Sequence, residues 1–221
     1  MTRCLDIAGS LLAILVLSPF MIPIMVALKC TGEHDIFYRQ TRIGRGGRPF
    51  GVLKFATMLR NSEKMPGGVL TQKNDPRILP LGGFLRKTKI NELPQLFNIF
   101  KGEMSFVGPR PQAKAHYDLY SAEVKSAIDA IRPGLTGIGS LVFRDEEDVL
   151  NAAEDRNAFH DKVIAPYKGE LEMWYSSHRN LFTYVALILM TAWSIVSPRT
   201  RIYVKIFKDL PKPPEALKCI M

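Results

Sequence analysis

The residues best suited to chemistry lie in KINELPQLFNIFKGEMSFVGPRP, positions 89–111. Asn91 and Glu92 place one amide and one carboxylate among leucines and phenylalanines, and Arg110 stands between Pro109 and Pro111. Arg86 and Lys87 precede the pair, so the local field is positive and favours an ionised Glu92. If a helix continues through 86–91, Arg86 lies about one and a half turns from Asn91. A carboxylate among arginines suits a divalent ion bridging to a diphosphate. Each proline fixes its own φ and biases the residue before it, so Arg110 is expected as a preorganised phosphate fork. The alternative is a proline-rich loop whose arginine merely pairs with an acid.

The elements that must position these residues begin with composition. The chain has 221 residues, 47% hydrophobic and 23% charged, which fits one folded domain rather than a disordered tail. A net charge of +9 favours an anionic partner: nucleic acid, acidic lipid or a phosphorylated substrate. Cys4, Cys30 and Cys219 show neither a CxxC nor a zinc spacing, which fits a reduced, cytoplasm-facing protein without a disulfide framework.

From Leu5 to Leu28 the chain is apolar except for Asp6. Membrane insertion explains this run better than a buried core helix, and MVALKC offers no small-x-small cleavage site for a signal peptide. As a helix the run would extend about 36 Å, enough to cross the roughly 30 Å hydrocarbon core. Ser18-Pro19 and Pro23 predict a kink or break, and both a span and a re-entrant hairpin are consistent with that. Lys29, Arg39, Arg42, Arg45, Arg48 and Lys54 place the following segment in the cytoplasm.

Beyond the anchor, DIFYRQTRIGRGGRPFGVLKF reads as two short strands around a basic glycine turn. Residues 60–80, with Pro66-Gly67-Gly68 and Asn74-Asp75-Pro76, read as an irregular surface loop. Tyr117, Tyr120, Val124, Ile128 and Ile131 fall on one face of an expected helix that RPGLTG (132–137) then ends. The acidic run RDEED, 144–148, is expected as a solvated face, with a metal or substrate role as the alternative. A second apolar run, Leu181–Val196, follows Trp174, Tyr175, His178 and Arg179 and suits a helix lying at a membrane interface. Arg199, Arg201, Lys205 and Lys208 form a basic tail for anionic headgroups.

Taken in order, these segments resemble the bacterial sugar transferases, the small monotopic polyprenyl-phosphate glycosyl-1-phosphate transferases. The resemblance covers nearly the whole chain: Arg3 and Asp6, Ser18-Pro19, YRQTRIG, Lys54-Phe55, Thr57-Met58, NELPQLFN, KGEMSFVGPRP and RPGLTG. It implies a mostly α fold with a small β element, a re-entrant anchor over 1–30 broken at Ser18-Pro19, and a cytoplasmic catalytic domain over 31–221. Within that domain an interfacial amphipathic helix is expected near 171–197. It implies a phosphoglycosyl transferase on the cytoplasmic face of the bacterial inner membrane. Such an enzyme moves a sugar 1-phosphate from a nucleoside diphosphate sugar, usually a UDP-sugar, to a polyprenyl phosphate. Magnesium is the implied cofactor, Glu92 its ligand, and Arg86, Arg110 and Arg132 the phosphate-binding residues. Membrane lipids and other glycan assembly enzymes are the implied further partners, and nucleic acid is not.

One departure matters. The family's usual pair is aspartate-glutamate, with the aspartate as nucleophile, and here the aspartate position is Asn91. An amide is a poor nucleophile toward phosphorus. Ala56 and Ile138-Gly139 are lesser departures, where the family often has a basic residue and bulkier groups respectively. A catalytically silent scaffold would explain Asn91, and a membrane-tethered nucleic-acid or lipid binder would explain the charge and the anchor. The second leaves Glu92 and Arg110 unexplained.

Overall fold

The computed structural model describes residues 2–65, 75–197 and 201–218. They divide into two compact units, Arg3–Arg42 with Phe50–Glu103, and Ile43–Pro49 with Met104–Met221. Pro66-Gly67-Gly68 and Asn74 of the expected loop, Arg199 of the basic tail and Cys219 lie outside the described residues.

In the first unit the apolar run forms α1, Thr2–Cys30, with Pro19 and Pro23 both inside it. Pro19 offers no amide to the Leu15 carbonyl, and the Ser18 hydroxyl donates to that carbonyl at 2.9 Å instead. The serine therefore satisfies the acceptor that its proline neighbour leaves open, which lets one helix run through the pair. Among the described residues α1 is the one helix long and apolar enough to cross a membrane by length and composition. Leu12, Leu15 and Phe20 are at least 63% exposed, whereas Asp6, Ser10, Met21 and Leu28 are buried. Met21 and Leu28 pack with Phe55 and Leu85. At the other end, Arg3 donates to the carbonyls of Ile99 (2.6 Å) and Phe100 (2.7 Å).

Strands β1 (Phe37–Ile43) and β2 (Pro49–Phe55) pair around the glycine loop, as the aromatic and branched residues flanking it predict. Two helices follow, α2 (Gly82–Lys87) and α3 (Gln95–Lys101). Asn98 of α3 is buried because it fastens the helix to β2: its Oδ1 accepts from Leu53 N (2.9 Å) and its Nδ2 donates to Gly51 O (2.8 Å). Gly102, at φ 90°, ends α3 in the left-handed region that favours glycine. Arg3 caps the carbonyls there, a cation at a helix C-terminus.

The second unit holds β3 (Ser105–Val107), α4 (Lys114–Asp118), α5 (Ala122–Asp129) and β4 (Gly134–Thr136). Two findings differ from expectation. The apolar stripe from Tyr117 to Ile131 is not one helix: Ser121 starts α5 as a cap, its Oγ accepting from Val124 N at 3.3 Å. The RPGLTG segment also does more than end a helix, because its centre is β4, parallel to β3 with Ser105 opposite Gly134 and Val107 opposite Thr136.

After β4 come α6 (Ile138–Val142), α7 (Glu146–Asn151), α8 (Arg156–Phe159), a π-helical turn over His160–Ile164, and α9 (Ala165–Ser177). Then α10 (Leu181–Val196), α11 (Ile202–Ile206) and α12 (Glu215–Lys218) complete the unit. Ile138, Ile164, Leu171, Leu187 and Leu217 are fully buried at its core. The single helix expected near 171–197 is two. Asn180 caps α10, its Oδ1 accepting from Thr183 N at 2.8 Å, and Leu171, Trp174 and Tyr175 of α9 face the core. The apolar exposed face belongs to α10, where Phe182, Leu189 and Trp193 are more than half exposed.

Candidate active site

Asn91 and Glu92 sit in the first unit, in a tight turn over Ile90–Glu92 between α2 and α3. The helix carrying Arg86 stops at Lys87, and Lys89 takes φ 60°, so Arg86 and Asn91 do not share a helix as expected. A lysine in the left-handed region is uncommon, and such positions cluster at functional sites. Arg86 is half-buried, with Nη1 3.7 Å from the Met58 sulfur. Asn91 is buried, and its Oδ1 has no hydrogen-bond partner among the described residues. Leaving a buried acceptor unpaired costs about 1–3 kcal/mol. Glu92, next to it, is half-buried.

An unpartnered amide oxygen beside a half-exposed carboxylate is a donor set that a hard cation accepts. Among the described residues no group of three or more His, Cys, Asp or Glu side chains could cage a metal. Magnesium does not require a cage, since it commonly takes one or two carboxylates and fills the rest with water and substrate phosphate. The residues present fit that mode, with Glu92 as the charged ligand and Asn91 Oδ1 as a neutral one.

Arg110 and Arg132 sit in the second unit, where the backbone brings their segments together. Gly108 N donates to Thr136 O (2.9 Å), Gly134 N to Pro109 O (2.8 Å), and Ile43 N to Gln112 O (2.8 Å). Gly108, Gly134 and Gly137 meet backbone to backbone. A Cβ on Gly108 would collide with the Arg132 carbonyl, one on Gly134 with Gly108 N, and one on Gly137 with Gly108 O. Side chains are excluded from this crossing, so GPRP and RPG run in direct contact. A shallow, solvent-open cleft beside Arg110 is lined by Pro109, Pro111, Tyr117 and Asp129 among others. Tyr117 donates its hydroxyl to Asp129 at 3.0 Å, and burial, then Asp129, raises the phenol pKa.

The charges around this loop come from residues far apart in sequence. Glu146 belongs to the acidic run expected as a solvated face, yet it is half-buried and pairs with Lys168 at 2.6 Å. Burial works against its ionisation, but Lys168, with His160 and Arg110 adding, outweighs that and holds its carboxyl below the usual range. His160 is buried on the π-helical turn, 2.8 Å from Asp161, and its ring lies 4.4 Å from that of His116. Glu172 of α9 is 3% exposed. Burial pushes its carboxyl up to about 8, with the Arg110 backbone N–H and Lys168 pulling the other way.

Of the residues singled out from sequence, Ser18 and Pro19 lie in α1, and Arg86, Asn91 and Glu92 belong to the first unit. The glycine crossing brings the backbone segments that carry Arg110 and Arg132 together in the second. Sequence reasoning missed Glu146 and Glu172 as charged groups near Arg110, and Lys168 as the partner of Glu146. The signal available was weak: two ionisable residues, Lys168 and Glu172, on one face of a helix otherwise rich in buried aromatics.

Comparison with known proteins gives a consistent picture. The model of the family described as bacterial sugar transferase matches residues 1–198. An uncharacterized sugar transferase of Haemophilus influenzae is 35% identical over 203 residues, covering 86% of this chain and 39% of its own length. The UDP-glucose:undecaprenyl-phosphate glucose-1-phosphate transferase of Escherichia coli is 36% identical over 179 residues, 78% of this chain and 37% of that protein. The undecaprenyl-phosphate galactose phosphotransferase of Salmonella typhimurium is 32% identical over 204 residues, 86% of this chain and 39% of that protein. The chain thus spans about two fifths of the length of these relatives.

Proposed function

The chain belongs to the bacterial sugar transferase family, and from that premise we propose that it transfers a sugar 1-phosphate from a UDP-sugar to a membrane polyprenyl phosphate. An oxygen of the acceptor phosphate forms a bond to the sugar-bearing phosphorus. The bond from that phosphorus to the bridging oxygen breaks, and UMP leaves. The products are a polyprenyl-diphosphate-linked sugar and UMP, the start of a polysaccharide or glycoconjugate. The observation that carries this reading is the GPRP segment, fixed by backbone bonds against the Arg132 turn in a chain that matches the family over 1–198.

The residues take distinct roles. Arg110 and Arg132 bind the diphosphate, Arg110 with a planar fork whose backbone is already constrained. Arg86 adds positive charge to the unit that holds Glu92. Glu92 and Asn91 Oδ1 would hold magnesium, which when bound neutralises charge developing on the transferring phosphate. Asn91 cannot supply the nucleophile, which leaves Glu92 or the acceptor itself; attack by Glu92 would take a ligand from the metal as charge develops, so direct attack by the acceptor oxygen, already anionic, is the proposed route.

Two further features support a membrane-surface enzyme with a re-entrant anchor. A straight helix of the length of α1 would be about 43 Å long. Yet Arg3 at its start and Leu28 near its end both dock on the first unit. The exposed apolar face of α10 suits a helix resting at the interface. The basic residues after Cys30 favour the cytoplasmic face.

The test is UMP release from a panel of UDP-sugars with polyprenyl phosphate and magnesium in detergent. Acceptor-dependent UMP is expected from one or more sugars, and none without the acceptor. No UMP from any sugar would sink the reading and favour the scaffold role. One equivalent of UMP without acceptor, with a mass gain of one sugar phosphate, would refute direct attack. Asn91→Asp should gain that acceptor-independent release.

A further inference from the structure

The cleft beside Arg110 holds a group that binding phosphate does not call for. Arg110, Tyr117 and Asp129 line it together, and all of its walls belong to the second unit. Its two sides are joined by the backbone, since Ile43 N donates to Gln112 O at 2.8 Å and both residues line the cleft. A carboxylate in such a cleft repels a phosphate bound at Arg110. Joining α4 to the end of α5 would need no more than a neutral acceptor. A hydrogen-bond donor on the ligand would make use of the carboxylate.

That carboxylate is held with an oxygen to spare. Tyr117 Oη donates to Asp129 Oδ2 at 3.0 Å. Among the described residues Tyr117 is the one side chain that donates to Asp129, which leaves Oδ1 able to accept from a second donor. The glycine loop between β1 and β2 lies against the pair. Gly47 has φ 67°, and an added Cβ there would stand 3.1 Å from Asp129 Oδ2 and 3.3 Å from Tyr117 Oη. A side chain at 47 would press on both oxygens. Lys125 Nζ, 5.3 Å from the centre of the Tyr117 ring, steadies the phenol.

We infer that Asp129 is a substrate-binding residue, accepting a hydrogen bond from a hydroxyl of a ring that adjoins the diphosphate at Arg110, with Tyr117 as its positioning residue. The identity of the diphosphate rests on the function proposed above, and the inference deepens it by naming what this chain reads beside the phosphates. Ribose and the transferred sugar both carry such hydroxyls. Opposite charges at the two ends of the cleft favour a diphosphate that bears a hydroxylated ring over inorganic diphosphate, which meets the carboxylate with repulsion alone.

The test uses the full chain in detergent with magnesium, comparing Asp129→Ala, Asp129→Asn and Tyr117→Phe with the wild type. Titration calorimetry measures Kd for UDP, 2′-deoxy-UDP and 3′-deoxy-UDP, for UDP-glucose and its singly deoxygenated sugars, and for inorganic diphosphate. One deoxy ligand should bind the wild type at least about 10-fold more weakly than its parent, the range for a hydrogen bond to a charged group. Asp129→Ala should weaken the parent by a similar factor and that deoxy ligand no further, so the two losses do not add. A missing ribose hydroxyl that gives this pattern assigns the ribose to Asp129, and a missing sugar hydroxyl assigns the transferred sugar. Inorganic diphosphate should bind Asp129→Ala at least as tightly as wild type. Tyr117→Phe should weaken the same parent about 3-fold or more and inorganic diphosphate not at all. If Asp129→Ala does not fold, Asp129→Asn carries the comparison, because an amide satisfies Tyr117 with its one oxygen. Losses that add for every deoxy ligand, or equal weakening of UDP-glucose and inorganic diphosphate, overturn the inference. A wild type that binds UDP-glucose but releases no UMP defeats the transfer reaction instead, and the Kd comparison still decides the role of Asp129. A wild type that binds none of these ligands overturns both.

Discussion

Replacing Glu172 with glutamine should make the protein more stable at alkaline pH and leave it almost unchanged at acid pH. The carboxyl is held protonated by burial up to about pH 8, against an ordinary value of 4.5. Between those values the folded chain keeps a proton that the unfolded chain has released. Stability therefore falls as pH rises through this interval and levels off above about 8. Each pH unit is worth about 1.4 kcal/mol, so the interval corresponds to a ceiling of about 5 kcal/mol. Relaxation around the ionised group and entering water reduce that, and about 2–4 kcal/mol is the expected difference at pH 8.5. Glutamine has nearly the same volume and cannot ionise. Thermal melts of wild type and Glu172→Gln in one detergent from pH 5 to 9 isolate the effect, because the other titrating groups cancel in the difference. The two should melt within about 3 °C of each other at pH 5. The variant should melt about 5–10 °C higher at pH 8.5, given about 2–4 °C per kcal/mol for a chain of this size. A difference that stays flat from pH 5 to 9 would show that the carboxyl ionises normally and is not enclosed between α6 and α9.

Two further outcomes bear on the site and the anchor. Glu92→Gln keeps the shape and removes the charge, so UMP turnover should fall at least about 100-fold, about 2.7 kcal/mol of transition-state stabilisation. Arg110→Lys should also be clearly impaired, since lysine keeps the charge and loses the fork; near-normal turnover in both would return the motif to a structural role. Cys4 and Cys30 are both exposed and lie near the two ends of α1, flanking the apolar run Leu5–Leu28. With Cys219 replaced, an impermeant thiol reagent should label both from the cytoplasmic face of sealed inverted vesicles, and a Cys4 reachable only from the opposite face would establish a span.

How much of this was legible in the sequence depended on how local the cause was. The apolar length of α1 and the paired strands around the glycine turn follow from neighbours in sequence, and both appear as expected. The break between α4 and α5 was also local, a serine able to cap, but a continuous apolar stripe masked it. Strands β3 and β4 are three residues each. They have too little length for a period-2 pattern and exist because three glycines allow two backbones to touch. Asn91 and Arg110 were legible by chemical type. The charged groups of the same unit were not, because Glu172 lies 62 positions beyond Arg110 and the Glu146–Lys168 pair bridges 22. In a helix reading ELEMWY a glutamate beside aromatics looks like an ordinary polar-face residue, and only packing shows that it points inward.

The docking of α1 at both ends has a consequence for how the protein meets membranes of different composition. A helix that crosses a bilayer adjusts to its thickness by tilting, kinking or thinning the lipid around it. With Arg3 fastened to the end of α3 and Leu28 packed against Phe55, α1 has little freedom to do so. Its depth is set by the first unit, and that same unit carries the turn of Asn91 and Glu92. The height of Glu92 relative to the acyl chains then becomes a property of the protein. If the anchor is re-entrant as proposed, lengthening the acyl chains of reconstituted vesicles should leave Glu92 at the same height relative to the headgroups.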